Sequence, residues 1–338
     1  MEAKNKAIFI VGNSRSGTTM MLRILNNHSQ VYGLNELHFF EQLWSSADKN
    51  KAISKTEAII LAAKLLFVQR DGYIGTTDAK KYKEEATTLV NEMYTDQYYG
   101  HEVYTQMIFR ETRLQNKLYP CEKTPQNVFY LKEILDIYPN GRIINMIRDP
   151  RAVMLSQKRK WRRRKMGASF ITKREVIRLR VNYHPITISK LWNAAIKAAE
   201  PFEKDDRVLN VHFEDIMEAP VKTIQAICNH LEISYEEGML DIPQASSSNV
   251  ADSDEKGINK KRAGNWKKGG LNDTEIFWNQ KISGNLLKQY NYALEPVNSN
   301  IFAKAMYAIS FPVKLFFALL LNLNRMKSIG ETLKRRLK

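Results

Sequence analysis

Cysteine is scarce in this chain: its 338 residues include only Cys121 and Cys228. The two lie far apart, and neither belongs to a Cys-x-x-Cys pair or a Cys/His cluster. The sequence therefore supports neither a disulfide framework nor a structural zinc site, and we expect two reduced thiols. A secretory hydrophobic segment is also missing near the start, because a short charged stretch leads directly into the apolar run 7–11. These absences predict a cytosolic protein.

Acidic residues are outnumbered, with 36 Asp+Glu against 52 Lys+Arg and a formal net charge of +16. This excess predicts an anionic partner, which could be nucleic acid, a membrane surface or a polyanionic cofactor. The densest basic run, residues 158–165, has no helix-turn-helix, zinc-finger or RNA-binding signature beside it. We therefore expect no specific nucleic acid, and we place this run at the rim of a cofactor and acceptor cleft.

Strand and helix patterns alternate along the chain. Short apolar runs rich in β-branched residues predict buried parallel strands at 7–11, 142–147 and 208–213. Apolar residues at helical spacing predict helices at 20–28, 55–69, 80–94, 127–137 and 220–231. This alternation favours an α/β fold: a P-loop-like three-layer arrangement with a mostly parallel central sheet flanked by helices.

The first strand is followed by a loop with P-loop spacing. Gly12 and Gly17 stand five residues apart between a strand and a helix, as a phosphate-binding loop requires. Backbone amides and the helix N-terminus can then hold a phosphate-type anion. However, Thr18 occupies the position of the nucleotide triphosphatase lysine, and no convincing Mg²⁺-binding aspartate follows. The loop is therefore expected to bind an anion other than Mg·ATP.

This loop resembles that of a known family. The residues Ser14-Arg15-Ser16-Gly17-Thr18-Thr19 are similar to the Pro-Arg-Ser-Gly-Thr-Thr loop of sulfotransferases that use 3′-phosphoadenosine 5′-phosphosulfate (PAPS), especially the branch with tyrosylprotein sulfotransferases and bacterial enzymes. Ser14 replaces the usual proline. The resemblance extends over most of residues 7–270. It implies PAPS as the donor co-substrate, no metal, and a cofactor-binding role for Ser14, Arg15, Ser16, Gly17, Thr18 and Thr19.

Two further motifs resemble the family's catalytic segments. Glu36, in Gly33–His38, stands where this branch places the carboxylate that activates the acceptor, so we interpret it as the general base. His38 is the competing base, since a neutral imidazole can do the same work near pH 7. In the segment Glu122–Pro125, the resemblance gives Lys123, together with Arg15, the role of stabilising charge on the leaving phosphate.

The remaining motifs resemble the family's nucleotide-binding segments. In the strand–Arg-Asp-Pro–helix segment, Arg148 and Ser156 are expected to bind the 3′-phosphate. Phe213, at the end of a later strand, is a candidate neighbour of the adenine. The basic loop 260–267 resembles the one that closes over the 3′-phosphate, although Asn265 replaces an aspartate. Its predicted ligands are Lys260, Lys261, Arg262 and Gly264.

Beyond the resemblance lies an apolar C-terminal segment. Residues 305–321 are strongly apolar but interrupted by Pro312 and Lys314, which leaves fewer than the roughly 20 clean residues of a spanning helix. A basic tail, 334–338, follows. We interpret residues 298–338 as an extension to a domain of residues 1–297, with a helix at the membrane interface. A helix packed on the core or a dimer interface are the alternatives.

The sequence thus predicts a cytoplasmic enzyme, peripheral at the inner membrane face, that transfers a sulfuryl group from PAPS to a hydroxyl group. The acceptor could be a small molecule, a lipid or sterol, or a glycan. The alternatives are an ATP-dependent phosphotransferase and a non-catalytic protein that binds membranes or polyanions. Aromatic residues of the acceptor region could line its pocket or belong to the core: Phe39, Phe40, Trp44, Tyr98 and Tyr99.

Overall fold

The computed structural model describes residues 6–72, 79–166, 171–244 and 255–337, without the side chains of Arg163, Lys165, Met166, Lys261 and Leu337. The strands are β1 Ile8–Gly12, β2 Val31–Gly33, β3 Ala52–Ile53, β4 Tyr98–Tyr99, β5 Tyr119–Glu122, β6 Arg142–Ile147 and β7 Val208–His212. The helices are α1 Thr18–Asn26, α2 Lys55–Asp71, α3 Lys83–Asn91, α4 Gly100–Leu114, α5 Leu131–Ile137, α6 Pro150–Arg159, α7 Lys173–Val181, α8 Pro185–Ala199, α9 Phe213–Glu218, α10 Pro220–Leu231, α11 Asp273–Gln289, α12 Ile301–Asn322 and α13 Ile329–Leu337.

Five of the strands form one parallel sheet in the order β2-β5-β1-β6-β7. The strands β3 and β4 form a separate antiparallel pair. Strand β1 is central, and its Ile10 lies in register with Ile144 of β6. Because all five carboxyl ends meet at the same edge, the loops that follow the strands are brought together there.

Helices cover both faces of this sheet. Side chains alternate along each strand, so that successive residues pack against opposite helix layers. From β1, Ile8 and Ile10 pack into a core with helices α1 and α10. Phe9 and Val11 point the other way, into a core with α2 and α4. All five residues of β1 are buried, as a central parallel strand requires. The predicted three-layer α/β fold with a mostly parallel sheet is confirmed.

The aromatic residues after β2 belong to the core. Phe39, Phe40 and Trp44 are buried, and Phe39 stacks on Tyr104 of α4 with ring centroids 4.3 Å apart. They therefore hold the loop after β2 against α4 and leave the lining of the cleft to other side chains. The two cysteines are free and buried, as expected.

The C-terminal segment folds back onto the domain. Helix α12 packs against α7 and α8, and α13 packs against α8. By length and composition, the helical stretch Ile301–Arg325 is sufficient to cross a membrane, so it is longer and more apolar than the sequence pattern indicated. Two arginines of α13 form ion pairs with the domain: Arg335 with Glu133 and Arg336 with Glu41.

Candidate active site

Each strand of the parallel sheet ends beside one group of the candidate site. The anion loop follows β1, and it leads into α1. The other four strands each supply a side chain within a few residues of their carboxyl end. In the order β2, β5, β6 and β7 these are Glu36, Lys123, Arg148 and Phe213. All four line a single cleft with the loop, as parallel strands predict for ligand sites.

The anion loop depends on two glycines in the left-handed region. Gly12 has φ 131° and Gly17 has φ 96°. A Cβ at Gly12 would lie 2.4 Å from the carbonyl oxygen of Met146, and one at Gly17 would lie 2.5 Å from the ring of Phe213. The loop is therefore pressed against β6 and the end of β7, and only glycine fits at these positions. Ser14, Arg15, Thr18 and Thr19 line the cleft with them, whereas Ser16 is fully buried.

A lysine reaches this loop from another strand. Lys123, which follows β5, lies with its Nζ 3.5 Å from Thr19 Oγ1 and forms an ion pair with Glu36. Its side chain is buried, whereas that of Glu36 is partly exposed. The cation that Thr18 fails to supply in the loop is thus provided by β5. Lys123 and Glu36, which the sequence predicts as partners in catalysis, are brought together.

His38 lies next to the same carboxylate, with its Nε2 3.5 Å from Glu36 Oε2. Partial burial in the cleft opposes ionisation of Glu36, but the charges of Lys123 and then of His38 outweigh it and lower the pKa of Glu36 to about 2. Burial lowers the pKa of His38 to about 4, against the attraction of Glu36. Near neutral pH the pair therefore consists of a carboxylate and a neutral imidazole.

Glu122 is a site residue that sequence reasoning overlooked. Its carboxylate is buried and accepts hydrogen bonds from the amide of Leu37, at 3.3 Å, from Asn127 Nδ2, at 2.8 Å, and from the Thr124 hydroxyl. It ties the loop that carries Glu36 to the segment that carries Lys123. Burial raises the pKa of Glu122 to about 7. The signal was its position before Lys123 at the end of a buried strand.

Arg148 and Arg15 meet at the other end of the loop. The Arg148 guanidinium donates from Nη1 to the carbonyl oxygen of Arg15 at 3.2 Å, and Arg15 Nε donates to Ser156 Oγ at 2.9 Å. The predicted 5′-phosphosulfate loop and the predicted 3′-phosphate ligands are therefore in direct contact. Both groups line the same cleft.

The environment of Arg148 fits an anion. Burial lowers the pKa of Arg148, and its Nε is buried with no hydrogen-bond partner among the described residues. A buried guanidinium with an unmet donor is costly unless a ligand supplies the acceptor. Its guanidinium carbon stacks 3.9 Å from the centroid of the Phe213 ring. Phe213 is buried against Arg148 and Gly17 and also lines the cleft, so its role beside an adenine stays a prediction.

Asp149 holds the basic loop in place through hydrogen bonds. Its carboxylate accepts two hydrogen bonds from the Arg151 side chain, both at 2.9 Å, and one from Trp266 Nε1 at 3.1 Å. The Arg151 guanidinium also stacks on the Trp266 ring, 4.2 Å from the centroid. These contacts fix the loop 260–268 to the start of α6, next to Arg148. Because Asp149 is engaged in this way, it makes a poor Mg²⁺ ligand.

The basic loop contributes one of its predicted ligands to the cleft. Arg262 lines the cleft, and its carbonyl oxygen accepts a hydrogen bond from Arg148 at 3.3 Å. Lys260 points elsewhere, with its Nζ 3.5 Å from the carbonyl oxygen of Glu218. Gly264 adopts a left-handed conformation, φ 63°, outside the cleft lining. The side chain of Lys261 lies outside the described part of the chain.

The cleft has a volume of about 1830 Å³, more than a nucleotide alone needs. Helices α7, α8 and α12 contribute apolar side chains to its wall, together with charged and polar ones such as Glu175, Lys190 and Asn322. Basic side chains of the run 158–165 stand at its rim, as predicted. These contributions to the lining are Arg159, Lys160, Arg162, Leu179, Leu191, Phe311, Leu315 and Leu319.

A sequence profile described as "Sulfotransferase family" matches residues 7–237. The chain belongs to the sulfotransferase family. This sulfotransferase is 24% identical over 237 residues to the "Putative protein-tyrosine sulfotransferase" of Caenorhabditis briggsae, covering 69% of this chain and 68% of that protein. The protein of the same name from Caenorhabditis elegans is 27% identical over 139 residues, 40% of this chain and 48% of the relative.

A solved structure supports the fold of the sulfotransferase. The "Sulfotransferase Domain from the Curacin Biosynthetic Pathway" superposes with a TM-score of 0.51 at 18% identity, covering 86% of this chain and 99% of that one. At this identity the likeness concerns the fold alone. The profile ends before the loop 260–268 and the helices α11 to α13, so the family match does not include them.

Proposed function

We propose that this sulfotransferase moves the sulfuryl group of PAPS to a hydroxyl group of its acceptor. The observation that carries the proposal is the arrangement of strand ends: an anion loop, a carboxylate, a lysine and an arginine meet in one cleft. In the transfer, the bond between sulfur and the 5′-phosphate oxygen breaks as sulfur bonds to the acceptor oxygen. The hydroxyl proton passes to a base. The products are a sulfate ester and adenosine 3′,5′-bisphosphate.

The loop Gly12–Thr19 would hold the 5′-phosphosulfate through its amides and the start of α1. At the other end, Arg148, Ser156 and Arg262 would bind the 3′-phosphate. The contacts among Arg148, Arg15 and Ser156 support this division. Among these residues, Arg148 would be stabilised most by a bound phosphate, because its buried Nε lacks a hydrogen-bond acceptor in the described structure. Phe213, which packs against Arg148 and Gly17, would hold Arg148 in position at the cleft.

Lys123 would link nucleotide binding to base strength. In the structure it pairs with Glu36, which keeps the pKa of that carboxyl near 2 and makes it a weak base. Lys123 already lies 3.5 Å from Thr19 Oγ1, so it needs little movement to meet an anion held by the loop. Glu36 then loses part of its ion pair, its pKa rises, and it accepts the acceptor's proton more readily. Lys123 meanwhile stabilises charge on the leaving phosphate.

The acceptor is proposed as a hydroxyl compound. The names of the two nematode relatives refer to protein tyrosine, and the phenol of tyrosine is one such hydroxyl. PAPS is favoured over ATP as the donor because Thr18 replaces the phosphate-loop lysine and because Asp149 is held by Arg151 and Trp266.

Nucleotide-induced thermal stabilisation tests the donor. We expect adenosine 3′,5′-bisphosphate to raise Tm well above the shift caused by Mg·ATP at equal concentration. Arg148→Met should reduce that shift, because the 3′-phosphate loses its buried ligand. Equal stabilisation by both nucleotides would contradict the proposal and favour a phosphotransferase.

Turnover tests the base. Glu36→Gln should lower kcat by about 10²–10⁴-fold while leaving the bisphosphate-induced Tm shift in place. His38→Gln is the matched variant, since it changes the neighbouring titratable group, and it should cost much less. A larger loss in His38→Gln than in Glu36→Gln would assign the proton to the histidine.

A further inference from the structure

Helix α12 and the residue that follows it, Leu323, carry a continuous apolar stripe on their outer side, called here the α12 stripe. The side chains follow one another at alternating steps of four and three residues, which places them on one face of a helix. They are between 37% and 78% exposed. The stripe consists of Phe302, Met306, Ile309, Val313, Phe316, Leu320 and Leu323. Over 22 residues it is about 33 Å long, which is far more apolar surface than scattered exposed side chains provide.

The helix is fixed along the surface of the domain. On its inner side, the ring of Phe311 packs at an angle against the ring of His184, with centroids 5.6 Å apart. Lys314 donates to the carbonyl oxygen of Tyr183 at 3.3 Å, and Asn322 bonds the Asn182 side chain at 2.9 Å. The helices before and after it, α11 and α13, also pack on the domain. This arrangement favours a helix that lies on a membrane over one that crosses it.

The charges around the stripe are positive. Between Ile301 and Arg325 the chain contains Lys304, Lys314 and Arg325 and no acidic residue. The adjoining helix α7 exposes Lys173, Arg174, Ile177 and Arg180, while its one acid, Glu175, is buried and paired with Arg178 and Arg325. An apolar stripe with cations beside it complements an anionic lipid surface.

Aromatic residues and lysines continue this surface onto α11. Phe277 and Trp278 are partly exposed there. Lys304 lies 4.1 Å from the centroid of the Phe277 ring, and Lys281 lies 5.4 Å from that of Trp278. Rings of this kind beside lysines are typical of the headgroup region of a bilayer.

The inner side of the same helix forms a wall of the cleft. Phe311, Leu315 and Leu319 line the space that extends to Glu36 and Lys123. Helices α7 and α8, against which α12 packs, add Leu179 and Leu191 to the lining. An acceptor seated here would place an apolar body against this wall and a hydroxyl toward the carboxylate.

We propose that the α12 stripe docks this protein onto an anionic membrane surface, and that the cleft receives a membrane-resident alcohol with an apolar body. The docking proposal rests on the exposed apolar stripe and on the cationic side chains beside it. The acceptor class rests in addition on the proposed sulfuryl transfer. Two experiments separate these parts, because vesicle binding requires neither donor nor turnover.

Vesicle cosedimentation tests the docking. The full chain should partition onto phosphatidylcholine/phosphatidylglycerol vesicles, less at high salt and less onto phosphatidylcholine alone. Met306→Gln/Ile309→Gln/Phe316→Gln should reduce the partition coefficient at least tenfold, with the bisphosphate-induced Tm shift retained as evidence of folding. The control Ile60→Gln/Leu114→Gln/Leu118→Gln removes equally exposed apolar side chains elsewhere and should bind as the wild type does.

Two results would overturn the docking. One is equal vesicle binding by the stripe variant and the control. The other is a dimer, seen by sedimentation velocity, that the stripe variant alone abolishes, since the stripe would then belong to a second copy of the chain.

Turnover with radiolabelled donor tests the acceptor class. In vesicles, dodecanol should show a kcat/KM at least 100-fold above that of butanol, and Leu315→Gln/Leu319→Gln should remove most of that preference. Equal kcat/KM for both alcohols would overturn the acceptor class. Transfer to neither alcohol would overturn the acceptor class as well. If adenosine 3′,5′-bisphosphate then also fails to raise Tm, the proposed sulfuryl transfer from PAPS is contradicted too.

Discussion

Lys123 is the residue on which the two halves of the candidate chemistry depend. It lies between the anion loop and Glu36, and its charge is the main influence that keeps this carboxyl ionised despite burial. The lysine and the carboxylate therefore act as one unit. Effects of substituting members of such a unit are not additive.

This coupling gives a prediction for Lys123→Met. We expect kcat to fall by about 10²–10³-fold, because charge on the leaving group loses its cation. The double variant Lys123→Met/Glu36→Gln should be little worse than the poorer single variant. Steady-state kinetics of the four proteins measure this, with Lys64→Met, an exposed lysine on α2, as the control. Fully additive losses would show that the two residues act separately.

Glu122 makes stability depend on pH. Its pKa is raised to about 7 in the folded protein, whereas in the unfolded chain it is ordinary. The folded state therefore binds the proton more tightly, and the stability that this confers is full below about pH 4.5 and lost as the pH rises through 7. In Glu122→Gln, the free energy of unfolding, measured with urea, should therefore depend less on pH between pH 4.5 and 7.

The variant should still fold, since the Asn127 side chain can rotate its amide. Asn127 Oδ1 has no hydrogen-bond partner among the described residues, so it can accept from the new glutamine amide. An unchanged slope of stability against pH in Glu122→Gln would show that other groups cause the dependence.

Among the elements, the anion loop is the most constrained. Gly17 combines a positive φ with contact to the Phe213 ring, whereas Gly72 at the end of α2 has φ 81° and open space around its Cα. Gly72→Ala should therefore cost about 1–3 kcal/mol for backbone strain alone, because φ 81° with ψ 157° is a conformation that side chains rarely adopt. Gly17→Ala should cost about 1–3 kcal/mol and weaken bisphosphate binding in addition. Urea unfolding with and without nucleotide compares them. Equal losses in both respects would mean that the Phe213 contact is unimportant.

The regular elements could be read from the sequence where a local pattern determines them. Strand β6 and helix α10 have the predicted bounds, because an apolar run and a helical apolar spacing end there at turn residues. The segment 127–137 was predicted as one helix but begins as a 3₁₀ turn, Pro125–Tyr130, before α5. Its side chains pack against β1 and α8, a tertiary constraint that spacing does not reveal.

From the sequence, only those residues of the candidate site that belong to recognisable motifs could be predicted. Glu36, Lys123, Arg15 and Arg148 were named in advance, and the structure brings them into one cleft. The supports of these residues could not be predicted, because they join distant segments. Asp149 and Trp266 are 117 positions apart, yet they share a hydrogen bond. The cleft wall from α12 likewise depends on how the chain returns to the domain.

At the scale of the whole molecule, ion pairs fasten the C-terminal helices to the domain. Arg336 of α13 pairs with Glu41, whose side chain is almost fully buried. Burial raises the pKa of Glu41, against the attraction of Arg336. Removing one partner of a buried pair leaves the other charge without compensation, which costs more than removing both.

We therefore expect Arg336→Met to lower the free energy of unfolding by about 1–3 kcal/mol near neutral pH. Arg336→Met/Glu41→Gln should recover a large part of that loss. Urea unfolding of the double-mutant cycle measures the coupling. A double variant as unstable as the sum of the single variants would mean that the two side chains do not depend on each other.

The sheet order has a consequence for how the protein is made. Each of the five parallel strands delivers its own part of the candidate site, and the part beside Phe213, which follows β7, comes last of these in the chain. Arg262 and the wall from α12 come later still. A nascent chain on the ribosome, or a proteolytic fragment that ends before them, would lack a complete candidate site. We therefore expect the candidate site to be complete only when the C-terminal helices have been made.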